Sequence, residues 1–173
     1  MYLYLIRHGI AVDLDTIDPD PTANDRARSL TKIGRKKIQQ VAKHLQMSGL
    51  AFDTILSSPL VRAHQTAELL LAQNLSSQLE ISTDLAPAGN LQSWLTWWES
   101  RAIDKPISKL ALVGHEPNLS EWAELLIFGS IQHRLILKKG GVIGLKFPAS
   151  KVAIGTAQLH CLIPPKYLIN YEV

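Results

Sequence analysis

The sequence predicts an α/β fold of three layers, in which helices cover both faces of a mostly parallel central sheet. Short apolar runs typical of strands alternate along the chain with segments that carry the apolar spacing of helices. Such alternation indicates strand–helix–strand units, which build a parallel sheet. With 173 residues, the chain suits one domain with a core of its own, so we expect a single domain over residues 1–173.

The first elements are a strand, a long loop and a helix. Residues 2–6 (YLYLI) form an apolar run that predicts a strand ending before Gly9. Residues 13–30 carry five aspartates, two prolines and no apolar period, which predicts a loop long enough to be functional or mobile. Thr31 is expected to cap the next helix. Apolar residues then recur at helical spacing until Gly49, which is expected to end it.

The middle of the chain repeats this pattern. Residues 54–58 (TILSS) predict a second strand, and Pro59 can occupy the first turn of the helix that follows. A polar stretch at 73–84 leads to a tryptophan-rich helix at about 91–101. Packing in the core is the favoured interpretation of its tryptophans, and a partner surface is the alternative. These residues are Trp94, Trp97 and Trp98.

The last third contains three further predicted strands and a helix. Residues 109–115 (KLALVGH) form a run typical of a buried strand, and Pro117 is expected to open the next helix. The runs at 141–147 and 156–163 alternate as strands do. Cys161 lies in the second of these runs, where we expect a small core residue.

Composition excludes several classes of protein. The chain is 46% apolar and 19% charged, and its net charge of +3 is too small to indicate nucleic-acid binding. A single cysteine excludes an internal disulfide and a multi-cysteine metal site. The aspartates of 13–30 lack the glycine and final glutamate of a calcium-binding EF-hand loop. We therefore expect no metal and no cofactor. The lack of a signal-peptide pattern favours a cytoplasmic protein.

Three strand–helix junctions carry arginine or histidine. Arg7 and His8 follow the first strand, Arg62 lies in the first turn after the second, and His115 follows the strand at 109–115. These strand ends meet at one edge of a parallel sheet, where helix N-termini add N–H donors. Guanidinium groups match phosphate oxygens, and a neutral imidazole can attack phosphorus. The sequence therefore predicts a phosphoryl site at this edge.

The motifs at these junctions resemble those of the histidine phosphatase superfamily, which has the phosphoglycerate-mutase-like fold. They are RHG at 7–9, SSPLVRAHQTA at 57–67 and VGHEP at 113–117. The short chain and the segment TDLAPAGN at 83–90 make it most similar to the SixA-like phosphohistidine phosphatases, over about residues 1–163.

The resemblance implies a role for each motif residue. His8 is implied as the nucleophile that becomes phosphohistidine, and Arg7 and Arg62 as the groups that hold the phosphoryl oxygens. His115 is implied to stabilise the transferring group, and Gly9 to belong to the phosphate-binding motif. Because positive charge lies nearby, we expect a lowered pKa at His8.

Two further residues are weaker candidates for contact with the substrate. Arg28, in RSLT at 28–31, resembles a family segment that reaches the substrate, and the alternative is a surface arginine before the helix cap. Glu116 follows His115 and is a candidate for moving protons, but neither it nor Asp84 is a secure match to the acid that larger phosphomonoesterases of the family place near residues 85–90.

The missing acid favours a phosphohistidine substrate. An alkoxide leaving group needs a general acid, whereas an imidazole can be protonated before it leaves. We therefore expect dephosphorylation of protein phosphohistidine. The alternatives are a phosphomonoesterase that acts on a small phosphate ester and a module that binds phosphate or phosphohistidine without turnover.

Overall fold

The computed structural model describes residues 1–13, 25–104, 107–148 and 152–169, with the side chains of 102–104 excepted. Six strands form one mixed sheet in the order β3-β2-β4-β1-β5-β6. β1 to β4 run parallel, and β5 and β6 are antiparallel additions at one side. The strands are β1 Tyr2–Arg7, β2 Thr54–Ser57, β3 Leu79–Ile81, β4 Lys109–Gly114, β5 Val142–Lys146 and β6 Gln158–Ile163.

Four helices of more than three residues follow strands or loops of this sheet in the described ranges. They are α1 Lys32–Met47, α2 Val61–Ala72, α3 Leu91–Asp104 and α4 Asn118–Phe128, and short 3-10 turns lie at Thr83–Leu85 and Pro165–Tyr167. Thr31 caps α1 as predicted, because its side chain accepts a hydrogen bond from the Gly34 N–H. Gly34 itself is required by close packing, since a Cβ there would lie 2.1 Å from the Ile10 carbonyl oxygen.

The core confirms the predicted three layers. Successive residues of β1 point to opposite faces of the sheet, so Leu3 and Leu5 join one apolar cluster while Tyr4 and Ile6 join the other. The first cluster packs the sheet against α3 and α4, and the second packs it against α1 and α2. Both faces are therefore covered, as a parallel sheet requires.

Strand register aligns the ends that carry the candidate site. Arg7 at the end of β1 pairs with Gly114 at the end of β4, and Ser57 at the end of β2 pairs with Val113. The residues that follow these three strands therefore emerge side by side at one edge. This confirms the convergence that the sequence predicted.

Several element boundaries differ from the sequence prediction. α2 begins at Val61 with Leu60 as its N-cap, so Pro59 precedes the helix instead of opening it. The predicted polar stretch at 73–84 contains the edge strand β3, in which Glu80 pairs with Arg101 and Ile81 is exposed. Three residues at an edge carry too little alternation to reveal a strand.

The tryptophan-rich helix packs mainly into the core. Trp94 and Trp98 are buried and stack on each other, whereas Trp97 is partly buried beneath the Arg101 guanidinium at 5.4 Å. Cys161 is half-buried and lies beside the second cluster, so it is less buried than predicted. In the described part of the chain no helix is both long and apolar enough to cross a bilayer.

The predicted loop at 13–30 is described only at its two ends. Residues 14–24, including Asp15, Asp18 and Asp20, lie outside the described residues. Residues 25–27 form a helical turn, and Ala11 forms an isolated antiparallel bridge with Leu30.

Candidate functional site

His8 is buried at the carboxyl edge of the sheet, with its ring orientation fixed by the backbone. The side chain is 6% exposed, and its Nδ1 lies 2.7 Å from the Gly9 carbonyl oxygen. A carbonyl can only accept, so Nδ1 carries the proton and Nε2 is unprotonated. Burial above all, and then His115, Arg62 and Arg7, lower the pKa of His8 to about 3 against the opposing effect of the Gly9 carbonyl. The ring is therefore neutral at physiological pH.

Arg62 lies in the first turn of α2, and its guanidinium contacts the His8 imidazole. Its guanidinium is buried, and its Nε donates to His8 Nε2 at 3.3 Å. Arg62 Nη1 donates to the Asp25 carbonyl oxygen at 2.6 Å, and Nη2 donates to Asp25 Oδ2 at 3.1 Å. Asp25 is therefore a member of the site that sequence reasoning missed, because the sequence offered five equivalent aspartates in one loop.

Arg28 joins the site through the same carboxylate. Its Nε donates to Asp25 Oδ1 at 2.9 Å, and its Nη1 donates to the Val12 carbonyl oxygen. Burial opposes ionisation of Asp25, but hydrogen bonds from Arg28 and Arg62 outweigh it and lower the pKa of this carboxyl. Arg28 is thus not a lone surface arginine, because Asp25 and Arg62 link it to His8.

His115 lies across from His8, with 5.0 Å between the ring centroids. It is 2% exposed, its Nε2 is 2.8 Å from Ser58 Oγ, and its Nδ1 is buried without a partner among the described residues. Burial first, and then the nearby arginines, lower the pKa of His115 to about 4. Ser58 is a second residue that sequence reasoning missed, although it stands in the quoted motif before Pro59.

Arg7 approaches the site from the end of β1. Its Nη1 donates to the Leu137 carbonyl oxygen at 2.9 Å, while its buried Nε has no partner in the ranges described. Burial lowers the pKa of Arg7, and Glu116 partly opposes that shift. Arg7 therefore offers an unsatisfied donor beside a buried pair of histidines.

The segment that receives Arg7 is fixed by a buried acid. Both Glu124 oxygens accept backbone N–H groups of 132–135, which hold that segment beside α4. Burial raises the pKa of Glu124, but these four donors outweigh it and lower the pKa to about 2. The Glu124 carboxylate is therefore ionised in the folded protein at neutral pH.

Gly9 has a structural environment that the motif alone did not reveal. Its N–H donates to Thr66 Oγ1 at 3.1 Å, and the Thr66 hydroxyl donates to the Arg62 carbonyl oxygen at 2.8 Å. A Cβ at position 9 would lie 2.7 Å from Ile38 Cγ1. The Gly9 N–H is thus already paired in this structure, and the missing side chain lets α1 pack closely.

Glu116 lies beside the site, but its carboxylate bonds to the first turn of α4, the helix that follows it. Its two oxygens accept hydrogen bonds from the Ser120 N–H and the Ser120 hydroxyl. Burial raises the pKa of Glu116, against the lowering effects of Ser120 and Arg7. In the described part of the chain, no hydrogen bond joins the Asp84 carboxyl to the two histidines or the arginines. The residues described also contain no group of three or more histidine, cysteine or acidic side chains placed to hold a metal ion.

Two neutral histidines flanked by arginines, at the carboxyl edge of an α/β sheet, define a site for a tetrahedral oxyanion such as a phosphoryl group. Residues 3–103 match the Histidine phosphatase superfamily (branch 1), and the chain belongs to that family. A protein of Picosynechococcus sp., described only as uncharacterized, is 45% identical over 170 residues, which cover 98% of this chain and 99% of that protein.

Solved structures share the fold at low identity. The protein histidine phosphatase SixA complexed with tungstate superimposes with a TM-score of 0.80 and 22% identity, covering 97% of this chain and 99% of that one. A phosphoserine phosphatase mutant from Entamoeba histolytica, in complex with phosphoserine, superimposes with a TM-score of 0.66 and 16% identity, covering 97% and 99% of the two chains. Both likenesses concern the fold.

Proposed function

We propose that this protein is a metal-independent phosphatase that dephosphorylates protein phosphohistidine through a phosphohistidine intermediate on its own His8. The observation that carries the proposal is the state of the His8 ring. The Gly9 carbonyl fixes the proton on Nδ1, and burial lowers the pKa, so Nε2 is unprotonated at neutral pH and its electron pair accepts only the Arg62 hydrogen bond among the contacts described. This is the state that a nucleophilic imidazole requires.

The surrounding donors suit the negative charge of the transferring group. Arg62 Nε already lies 3.3 Å from the attacking nitrogen, and Arg7 Nε is buried without a partner in the described ranges. The His115 Nδ1 is likewise buried and unpaired there. A bound phosphoryl group would supply acceptors for the two arginines, and charge-assisted hydrogen bonds are the strong ones in such sites.

A phosphohistidine substrate fits the absence of acids at residues 85–90. The leaving imidazole can be protonated before the P–N bond breaks, so no general acid is needed at that step. The likeness to the SixA structure supports the same substrate class. Water then attacks the phosphorus of phospho-His8, releases phosphate and restores the neutral imidazole.

A small-molecule phosphomonoesterase is the second candidate, and Glu116 favours it. A half-buried carboxyl with a raised pKa, close enough to Arg7 to influence it, is the kind of group that protonates an alkoxide. The likeness to the phosphoserine phosphatase structure agrees with that activity. The two Ser120 hydrogen bonds give Glu116 a competing structural role at the first turn of α4.

A leaving-group series separates these activities. We expect kcat/KM to fall steeply from phosphohistidine peptides and aryl phosphates to phosphoserine peptides, because general acid catalysis contributes about 10²–10⁴-fold where it operates. Glu116→Gln should leave the dependence of kcat/KM on the leaving group unchanged, and so should the exposed control Glu99→Gln. If kcat/KM were the same for all leaving groups in the wild type and fell with leaving-group basicity only in Glu116→Gln, the protein would be a phosphomonoesterase. Absence of turnover on every substrate would identify a binding module instead.

A further inference from the structure

A basic cavity of about 380 Å³ adjoins the candidate phosphoryl site and shares Arg7 with it. Four lysines from three separate segments complete its charge. Lys37 comes from α1, Lys138 and Lys139 come from the segment before β5, and Lys166 comes from the 3-10 turn at Pro165–Tyr167. Positive charge is thus concentrated beside the site, in a chain whose net charge is only +3.

The charge of this cavity is not neutralised by the residues that line it. No aspartate or glutamate is among those lining residues, and none of the four lysines forms an ion pair within the ranges described. The Lys166 ammonium lies 4.7 Å from the Tyr167 ring centroid, a contact that leaves its charge in place. Clustered like charges repel one another, so a cavity of this kind favours an anionic occupant.

The segment carrying Lys138 and Lys139 is held against the site by main-chain contacts. Its Leu137 carbonyl accepts from Arg7, and the Gly140 N–H donates to the carbonyl oxygens of Arg7 and His8. The two lysines therefore project from backbone that is tied directly to the catalytic strand end. A ligand that bound them would lie near the strand end that carries His8.

The cavity includes apolar surface as well as lysines. Ile10, Pro165 and Ile169 line it together with the lysines, and an adjoining cavity of about 420 Å³ shares Lys138, Pro165 and Lys166 with it. Ile136 and Pro164 line the second cavity. Two contiguous cavities that mix lysines with apolar side chains suit an extended polypeptide better than a compact anion.

We propose that this lysine cavity binds acidic side chains of a protein substrate that flank its phosphorylated residue, so that the enzyme selects phosphohistidine in an acidic surface. The inference rests on the proposed phosphatase function and adds its substrate preference. Individual exposed ion pairs are weak, so several together are expected to give about three- to tenfold in kcat/KM at low salt. That preference should fade as salt screens the charges.

The test compares two phosphohistidine peptides that differ only in having glutamates or glutamines beside the phosphohistidine. The measured quantity is the ratio of their kcat/KM values in the wild type, in Lys138→Glu/Lys139→Glu and in the control Lys43→Glu/Lys109→Glu. The control lysines lie at the far end of α1 and at the first residue of β4, away from the carboxyl edge. We expect a ratio of about three to ten in the wild type and in the control, and a ratio of one or below in the cavity variant.

The proposal would be overturned if the wild type hydrolysed the glutamate and glutamine peptides with equal kcat/KM. It would also be overturned if this ratio of kcat/KM values fell equally in the cavity variant and in the control variant. Fluorescence anisotropy measures binding of the unphosphorylated glutamate peptide and so tests the cavity without requiring turnover. A protein that bound this peptide but hydrolysed no substrate would refute only the proposed function. We expect tighter binding to the wild type than to the cavity variant. Equal binding to both, or binding of pyrophosphate in place of the peptide at these lysines, would show that the cavity does not select an acidic protein segment.

Discussion

Replacement of Ser58 by alanine tests whether the hydroxyl beside His115 positions that imidazole for the reaction. Ser58 is fully buried, and its Oγ lies 2.8 Å from His115 Nε2 while also accepting the Leu60 N–H at 3.3 Å. The substitution leaves a buried ring nitrogen and a backbone donor without their partner. We therefore expect a loss of activity and a smaller loss of stability.

The magnitude follows from the number of groups left unpaired. A buried polar group without its hydrogen bond costs about 1–3 kcal/mol. If the cost at His115 falls on the transition state, kcat/KM drops roughly 5- to 150-fold, since about 1.4 kcal/mol corresponds to a factor of ten. Ring reorientation should lower kcat more than it raises KM, because the ring is proposed to act on the transferring group.

Ser57→Ala provides the matched control. Ser57 is the adjacent buried serine, and its hydroxyl donates only to the Ser58 carbonyl oxygen at 3.0 Å among the contacts described. Both variants should lower Tm in thermal unfolding, whereas only Ser58→Ala should lower kcat on a phosphohistidine peptide. Equal kcat values for the two variants would refute the reasoning and reduce the Ser58 contact to a structural one.

Three further outcomes are expected. His8→Ala should give no labelled phosphoenzyme when a reaction with radiolabelled substrate is quenched in alkaline SDS, which preserves the acid-labile P–N bond, whereas the exposed control His44→Ala should label normally. Label retained without His8 would exclude the proposed nucleophile. Asp25→Asn should bind orthovanadate several-fold more tightly in a competition assay, because an anion beside Arg62 is removed, and weaker binding would show that Asp25 positions the arginine instead. The free energy of unfolding should fall as the pH drops from about 6.5 towards 4, because the folded pKa values of His8 and His115 are about 3 and 4 while the unfolded chain protonates near 6.5. Two extra protons on the unfolded chain correspond to a slope of up to about 2.7 kcal/mol per pH unit. The free energy of unfolding is measured by urea titration at several pH values in the wild type and in the double variant His8→Asn/His115→Asn. Its slope against pH should be smaller in the double variant, and equal slopes would contradict the lowered pKa values.

The sequence predicted the sheet well because its buried strands carry strong local signals. β1 and β4 are continuous apolar runs that end in Arg7 and Gly114, and the rule that parallel strands share one carboxyl edge then brings His8 and His115 together. β3 escaped prediction because three residues at a sheet edge carry no period. The start of α2 was placed too early because proline is compatible both with the first helical turn and with the segment before it.

The contacts made by short polar side chains could not be predicted in the same way. Nothing in the sequence distinguishes Asp25 from the other aspartates of its loop, because its partner Arg62 lies 37 residues away. Ser58 and Ser57 are adjacent and chemically identical, and only the three-dimensional arrangement shows which hydroxyl meets His115. The pairing of the Gly9 N–H with Thr66 depends likewise on how α2 packs beside β1.

The four N–H groups that converge on Glu124 depend on the backbone and not on side chains, so they constrain the identities of these residues little except at His133, whose φ of 52° disfavours branched side chains. The shape of 132–135 is specified by main-chain donors and one acid on α4, while the side chains of 131–134 and Ile136 are exposed. Substitutions of these exposed side chains can therefore change the outer surface without moving the Leu137 carbonyl oxygen, which accepts a hydrogen bond from Arg7. Such substitutions are compatible with an unchanged contact between Arg7 and the Leu137 carbonyl oxygen.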